Sequence, residues 1–135
     1  MDTSEIEQRI LKFFGPIEHI VCIALFGSHA QGVATRSSDV DIAVLFERVH
    51  IPDVLTLVEW REDLSALLET DVDLICLNTA SPIIGMQVYK NGKNLKIFNE
   101  KEFNKYQMQL FYDYAELKEI RAPMENSILK RDHHD

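Results

Sequence analysis

The sequence has few cysteines, no long hydrophobic stretch and a shortage of positive charge, and each shortage argues against a class of protein. Only two cysteines occur in 135 residues, Cys22 and Cys76, and each lies within an apolar stretch. This usage argues against a disulfide-stapled secreted domain and predicts two buried, reduced thiols. The longest uninterrupted apolar run is residues 20–26, which is too short to cross a bilayer.

The charge balance is acidic. Fourteen Lys and Arg residues against 22 Asp and Glu residues give a net charge of −8. Such a chain repels phosphate backbones, so direct binding to nucleic acid is not expected. The first five residues are acidic and polar, unlike a signal or transit peptide. We therefore expect a soluble, cytoplasmic protein that makes no membrane contact.

Strand-like and helix-like apolar patterns alternate along the chain. Four stretches fit buried or edge strands: 20–26, 39–46, 72–77 and 95–98. Four stretches fit helices: 4–14, a segment opened by Pro52-Asp53, 82–91 and 100–121. This alternation predicts an α/β (α+β) chain in which helices pack on a sheet.

The first and last helices carry clear boundary signals. Ser4 followed by Glu7 fits a capping box, which predicts that the first helix begins there. Pro123 is expected to end the last helix, because proline lacks the backbone donor that the helix needs. We therefore predict one domain over residues 1–122 and a polar C-terminal tail over 123–135.

A glycine and a serine directly follow the most hydrophobic strand. Gly27 allows the backbone to approach a ligand closely, and the free N–H groups and the Ser28 hydroxyl can hold phosphate oxygens. Asp39 and Asp41 open the next strand at positions i and i+2, so their side chains share one face. Two carboxylates on one face can bind a hard cation such as Mg²⁺.

Asp73 supplies a third carboxylate at the start of the third predicted strand. If the second and third strands are neighbours, the three aspartates form a cluster that can hold two metal ions for attack on a phosphoryl group. Taken singly, Asp and Ser are commoner as ordinary turn and strand-end residues. The joint Gly-Ser and Asp-x-Asp pattern between two apolar strands favours the catalytic interpretation.

The order of these residues resembles the signature of the DNA polymerase β-like nucleotidyltransferases. The matching positions read Phe-Gly-Ser-x-Ala-x-Gly-x-Ala over 26–34 and Ser-Asp-x-Asp over 38–41. Within that superfamily the chain is most similar to the minimal nucleotidyltransferases encoded beside HEPN-domain toxins. This narrower resemblance continues through 72–74, Pro82, Asn91-Gly92, Leu95 and the C-terminal helix.

The resemblance implies a nucleotidyltransferase fold, with a small mixed sheet flanked by helices, in the single domain 1–122. It implies two Mg²⁺ ions and ATP as substrate, with Asp39, Asp41 and Asp73 as the catalytic, metal-binding residues. It also implies that Gly27 and Ser28 bind the nucleotide at its phosphates.

The chain departs from this family at two positions of the phosphate loop. Members of the subfamily often have arginine where this sequence has His29 and Gln31. We expect the loss of those charges to weaken the grip on a triphosphate. Arg36 could compensate, although a solvated loop arginine is the simpler interpretation.

The resemblance further implies an antitoxin. It would transfer AMP from ATP to a hydroxyl, that of a tyrosine, on a cognate HEPN ribonuclease toxin, and would release pyrophosphate. A chain of this size has no room for a large substrate domain, so a protein partner would supply the acceptor. Two alternatives remain: transfer to a small hydroxylated molecule such as an aminoglycoside, and a non-catalytic antitoxin that acts by binding alone.

Other chemically notable residues are interpreted as structural. The five histidines show no metal-ligand spacing with the cysteines, so a zinc site is not expected. Trp60 is expected to pack against the sheet. Aromatic residues at helical spacing in the last helix are expected in the core, with a partner-binding face as the alternative: Phe103, Tyr106, Phe111 and Tyr114.

Overall fold

The computed structural model describes residues 1–32 and 39–132, with side chains described as far as residue 119. Its helices are α1 (Thr3–Phe14), α2 (Val54–Leu68), α3 (Pro82–Asn91) and α4 (Glu100–Asp132). Its strands are β1 (Ile20–Phe26), β2 (Val40–Phe46), β3 (Val72–Cys76) and β4 (Lys93–Ile97). A short 3₁₀ helix, Arg48–His50, follows β2.

The strands form one mixed sheet in the order β3-β2-β1-β4. β1 runs antiparallel to both β2 and β4, whereas β2 and β3 run parallel. A parallel pair needs a crossover connection, and α2 provides it. The expected small mixed sheet flanked by helices is therefore confirmed, and β4 lies at an edge as predicted.

Helices cover both faces of the sheet. Residues on one face of β2, such as Ile42, pack in a core shared with Ile10 of α1 and Leu64 of α2. On the other face, Ala43 packs in a second core with Val88 of α3. Because both faces are covered, the ends of the strands are the places where polar groups can reach solvent and a substrate.

Most expectations about individual elements are confirmed. β1 and α3 have the predicted bounds, and α2 begins after Asp53, whose carboxylate accepts a hydrogen bond from the Thr56 N–H. Cys22 and Cys76 are both buried and free, and burial raises the pKa of the Cys22 thiol to about 12. Among the described helices, none has a stretch long and apolar enough to span a bilayer.

Trp60 and two of the four aromatic residues of the last helix follow the core interpretation. Trp60 is half-buried and packs edge-on against Phe14 and face-on against Phe46. In α4, Phe103 and Tyr106 pack against the second core. Phe111 is instead 36% exposed and meets Tyr89 of α3 edge-on, with ring centroids 4.8 Å apart. Tyr114 is half-buried, packs in neither core and has the ammonium groups of Lys90 and Lys118 over its ring.

The capping-box prediction for α1 is wrong. The helix begins at Thr3, and its N-cap is Asp2, whose carboxylate accepts a 2.8 Å hydrogen bond from the Glu5 N–H. Asp and Ser cap helices about equally well, so local chemistry does not separate the two starts. The earlier start places Ile6 beyond the first turn of the helix, where it is buried in the core.

The predicted end of the last helix at Pro123 is also wrong, because α4 continues to Asp132. A proline inside a helix removes one backbone hydrogen bond and costs about 3 kcal/mol. The following residues include several strong helix formers, among them Met124, Glu125 and Leu129. The helix backbone therefore crosses the expected boundary at 122/123, and a separate tail over 123–135 stays a prediction.

One side chain that sequence patterns did not reveal joins the ends of β2 and β3. Asn78 accepts a 2.9 Å hydrogen bond from the Phe46 N–H, and its amide donates a 2.8 Å hydrogen bond to the Phe46 carbonyl. Asn78 lies in the loop that follows β3. Its side chain thus makes the pair of backbone hydrogen bonds that one more strand residue would make.

We predict that Asn78→Ala lowers the free energy of unfolding by about 1–3 kcal/mol, because it leaves two half-buried backbone groups of Phe46 unpaired. Asn94→Ala is the matched control, since Asn94 is exposed on the edge strand β4. Urea unfolding of both variants measures the difference. Equal stability of the two variants would contradict this role.

Candidate active site

Strand pairing brings the predicted site residues to one end of the sheet. In the register of the sheet, Asp41 lies opposite Phe26 of β1 and beside Asp73 of β3. Asp39 directly precedes β2, and Gly27 directly follows β1. The condition on which the three-carboxylate cluster depended, that β2 and β3 are neighbours, is therefore met.

The carboxylates differ in exposure and influence one another. Asp41 is half-buried, whereas Asp39 and Asp73 are exposed. Burial raises the pKa of Asp41 above its ordinary value, and the charges of Asp73 and Asp39 raise it further. The neighbouring His29 has the opposite effect on this pKa. A bound cation would relieve the repulsion, and carboxylate oxygens are the ligands that Mg²⁺ prefers.

The three aspartates do not form a closed ligand set by themselves. Within residues 1–32 and 39–119, one group of three His, Cys, Asp or Glu side chains has ligand atoms all within 4.8 Å of one another, and it lies elsewhere, at His19, Glu47 and His50. The carboxylates of Asp39, Asp41 and Asp73 would have to turn toward a shared cation to bind it together.

Gly27 lets the loop after β1 pass directly beside Asp41. Its φ of +71° lies in the left-handed region, and a Cβ atom added there would overlap Oδ2 of Asp41. The loop then turns back on itself, since the Gln31 N–H donates to the Gly27 carbonyl at 3.3 Å. Ser28 is half-buried within this turn. Only a residue without a side chain fits between the loop and the carboxylate.

His29 is buried inside the protein although it belongs to a polar loop. It is 8% exposed, and neither ring nitrogen has a hydrogen-bond partner among the described residues. Its ring is close enough to Asp41 to act on that carboxylate electrostatically. Nothing in the sequence distinguishes this placement, because a single histidine in a polar loop can be buried or exposed.

Gln31, the second position at which the chain departs from the family, lies in the same turn. Gln31 is exposed. Arg36, the cation that could compensate for a missing arginine, lies outside the described residues. The expected weaker grip on a triphosphate therefore stays a prediction.

The sequence matches the polymerase beta nucleotidyltransferase family over residues 8–102. This segment carries the Gly-Ser turn, the Asp-x-Asp pair and Asp73. The chain belongs to this nucleotidyltransferase family. The family match therefore confirms the predicted nucleotidyltransferase fold, in agreement with the topology of the sheet.

Relatives of this nucleotidyltransferase include adenylyltransferases and antitoxins. A protein adenylyltransferase MntA of Shewanella oneidensis is 39% identical over 90 residues, which cover 66% of this chain and 63% of the relative. A crystal structure of a toxin–antitoxin with AMP-PNP superimposes with a TM-score of 0.81 at 31% identity, covering 91% of this chain and 98% of that one.

A third relative is described as a tri-AMPylated Shewanella oneidensis HEPN toxin in complex with MNT antitoxin. The TM-score is 0.78 at 26% identity, and the match covers 94% of this chain and 98% of that one. The resemblance to minimal nucleotidyltransferases inferred from the motif agrees with these matches. The matched segment spans slightly less than two thirds of the curated Shewanella relative.

We predict that Gly27→Ala disables the site of this nucleotidyltransferase because the new methyl group displaces the carboxylate of Asp41. Gly32→Ala is the matched control, since Gly32 has a φ of +73° but no atom within 4 Å of an added Cβ. In both variants an alanine has to adopt the left-handed backbone conformation, which costs about 1–2 kcal/mol. Calorimetry should show that ATP binding in Mg²⁺ is lost in Gly27→Ala and retained in Gly32→Ala; the same affinity in both would contradict the prediction.

We predict that Asp41→Asn raises the melting temperature of the metal-free protein at neutral pH. A carboxylate whose pKa is raised by folding destabilises the fold whenever it is charged in both states, and the amide removes this penalty. The gain should shrink as the pH falls through the raised pKa of Asp41 in the folded chain, and it should vanish below the ordinary value of 3.8, where the carboxyl group is protonated in both folded and unfolded chains.

Asp53→Asn is the opposing control. The Thr56 backbone N–H holds the pKa of Asp53 below its ordinary value, so its charge stabilises the fold and its loss should lower the melting temperature at neutral pH. Thermal unfolding from pH 3 to pH 7 in the presence of a chelator measures both changes. A lowered melting temperature in Asp41→Asn at neutral pH would contradict the prediction.

Proposed function

We propose that this chain is an antitoxin that transfers AMP from ATP to a tyrosine hydroxyl of a HEPN ribonuclease toxin in the cytoplasm. The observation that carries the proposal is the convergence of Asp39, Asp41, Asp73 and the Gly27-Ser28 turn at one end of the sheet. The relative solved with AMP-PNP and the relative solved with a tri-AMPylated toxin support the choice of ATP and of a protein acceptor.

In this proposal the acidic residues have separate tasks. Asp39 and Asp41 would hold the Mg²⁺ ions at the triphosphate, and Asp73 would bind the ion nearer the acceptor. When bound, these ions offset the negative charge of the phosphates and of the attacking oxygen. Asp73 orients the acceptor hydroxyl and takes its proton.

The bond changes follow from these positions. The acceptor oxygen forms a bond to the α-phosphorus of ATP, and the bond between that phosphorus and the bridging oxygen to the β-phosphate breaks. Pyrophosphate leaves with the electrons of that bond. The backbone N–H groups at Gly27 and the Ser28 hydroxyl hold the phosphate oxygens during this exchange.

Added AMP would change the surface of the toxin electrostatically. Each transferred nucleotide brings a phosphodiester with a negative charge to the modified tyrosine. If this tyrosine lies near the RNA-binding surface, the new charge repels the phosphates of the RNA. The antitoxin itself has a net charge of −8, which favours docking on a basic ribonuclease surface.

We predict that Asp39→Asn and Asp41→Asn each lower AMP transfer by at least about a hundredfold, because each removes a metal-binding charge at nearly constant shape. Asp63→Asn, at an exposed position of α2, is the matched control. A cognate HEPN toxin is incubated with each variant, ATP and Mg²⁺, and the mass of the toxin is measured. The wild type and the control should add one or more AMP units.

Removal of the antitoxin separates the proposal from its alternatives. A toxin that has been modified should stay inactive, and heavier, after this chain has been purified away. Full recovery of ribonuclease activity without a mass change would favour inhibition by binding alone. An unmodified toxin together with an adenylylated aminoglycoside would favour the small-molecule alternative.

A further inference from the structure

A second cluster of metal-binding side chains lies at the far end of the β1–β2 hairpin from the aspartates. His19 directly precedes β1, Glu47 directly follows β2, and His50 closes the short 3₁₀ helix. One ligand atom from each of the three residues lies within 4.8 Å of the other two. Asp39 and Asp41 lie at the opposite end of these two strands, with Asp73 beside Asp41 on β3, so the two clusters are separated by the length of the hairpin.

The backbone holds the three residues of this cluster in place. The Glu47 N–H donates to the His19 carbonyl at 2.9 Å, and the His50 N–H donates to the Glu47 carbonyl at 2.9 Å. His19 has a φ of +69°, in the left-handed region. The local backbone thus holds the two imidazoles and the carboxylate next to one another.

The side chains already contact one another. Nδ1 of His19 lies 3.1 Å from Oε2 of Glu47, and the rings of His19 and His50 stack with centroids 3.5 Å apart and an interplanar angle of 7°. A tetrahedral site with bonds of about 2.1 Å separates its ligand atoms by roughly 3.4 Å. The nitrogen–oxygen separation is close to that value before any ion binds.

We propose that His19, Glu47 and His50 form a zinc-binding site, separate from the magnesium-binding aspartates. Two imidazole nitrogens and one carboxylate oxygen are a ligand set typical of zinc and poorly suited to Mg²⁺, which prefers oxygen ligands. A water molecule completes the tetrahedron. The ion joins the segment before β1 to the segment after β2 and so fixes the outer end of the hairpin.

Binding changes the proton and the rings of the cluster in a defined way. Without an ion, Nδ1 of His19 donates its proton toward the Glu47 carboxylate; when zinc binds Nδ1, this proton moves through solvent to Nε2, so the ring stays neutral. Glu18 lies 3.7 Å from Nε2 of the same ring, and a small movement of its exposed carboxylate would let it accept a hydrogen bond from that N–H, as carboxylates do beside metal-bound histidines. The two rings turn out of their parallel stack so that both lone pairs meet at the ion.

This site has no short-range sequence signature. His19 and His50 lie on either side of the whole hairpin, so no local spacing pairs them, and neither cysteine is near them in sequence. The antiparallel pairing that sets Ile20 opposite Phe46 brings the two segments together. The spacing of the His and Cys residues gave no reason to expect a zinc site, because the three ligands of the proposed site come together only in the folded chain.

The test is zinc titration of the full chain by calorimetry, with saturating Mg²⁺ to occupy the aspartates. We expect one zinc ion per chain, bound more than about tenfold more weakly in His50→Gln, Glu47→Gln and His19→Asn. Asparagine tolerates the left-handed backbone of position 19, so that variant keeps its local fold. Circular dichroism of each variant confirms folding.

Two control variants separate this site from other ligands in the chain. The double change His133→Ala and His134→Ala removes adjacent histidines of the C-terminal segment, and Asp41→Asn alters the aspartate cluster; both should bind zinc as the wild type does. The ring C–H signals of two histidines should shift together with zinc and remain unchanged with Mg²⁺. Absence of zinc binding, binding unaffected by His50→Gln, or binding lost in either control overturns the proposal.

The result of the zinc-binding test does not depend on the proposed transferase function. The three cluster residues lie at the opposite ends of β1 and β2 from the aspartates, so His50→Gln should leave AMP transfer unchanged in the absence of zinc. Zinc should raise the melting temperature of the wild type and of Asp41→Asn, and should not raise that of His50→Gln. Equal zinc-induced shifts in His50→Gln and the wild type contradict the proposed ligands.

Discussion

The parallel pairing of β2 with β3 is the contact on which the rest of the site depends. It places Asp41 beside Asp73 in register. The antiparallel partner strand β1 finishes at the same end of the sheet, where Gly27 follows it. The helices α1 and α2 cover one face of the sheet, and α3 and α4 cover the other face. The acidic side chains therefore reach solvent at this end of the strands. A one-residue slip of β2 against β3 would set Asp41 beside Val72 or Leu74 instead of Asp73 and would direct the two carboxylates to opposite faces of the sheet.

This arrangement opposes stability in the absence of a cation. Burial and two neighbouring negative charges raise the pKa of Asp41, so the metal-free fold carries an electrostatic penalty at neutral pH. The buried ring of His29 reduces the penalty in part, and the close passage of Gly27 keeps the phosphate loop against the same carboxylate. Destabilisation that a ligand relieves is typical of functional sites.

Sequence patterns predict the elements that apolar periodicity and strong boundary residues define. Residues 20–26 form a strand because no polar residue interrupts a run buried on both faces, and Ser81-Pro82 and Gly92 bound α3. The patterns fail where competing choices have similar energies: Asp2 and Ser4 are comparable caps, and Pro123 interrupts a segment of good helix formers. Long-range contacts such as Asn78 with Phe46, the burial of His29, and the meeting of His19 with His50 have no local signature.

The central claim is that Asp39, Asp41 and Asp73 together hold the metal ions that bind the phosphates of the nucleotide. Crystals grown with AMP-PNP and Mn²⁺ test it most directly, because the anomalous scattering of Mn²⁺ locates each ion without reference to activity. We expect Mn²⁺ peaks bounded by these three carboxylates, with the phosphates of the nucleotide against Gly27 and Ser28. Mn²⁺ peaks on other residues, or a nucleotide bound away from the three aspartates, would contradict the account.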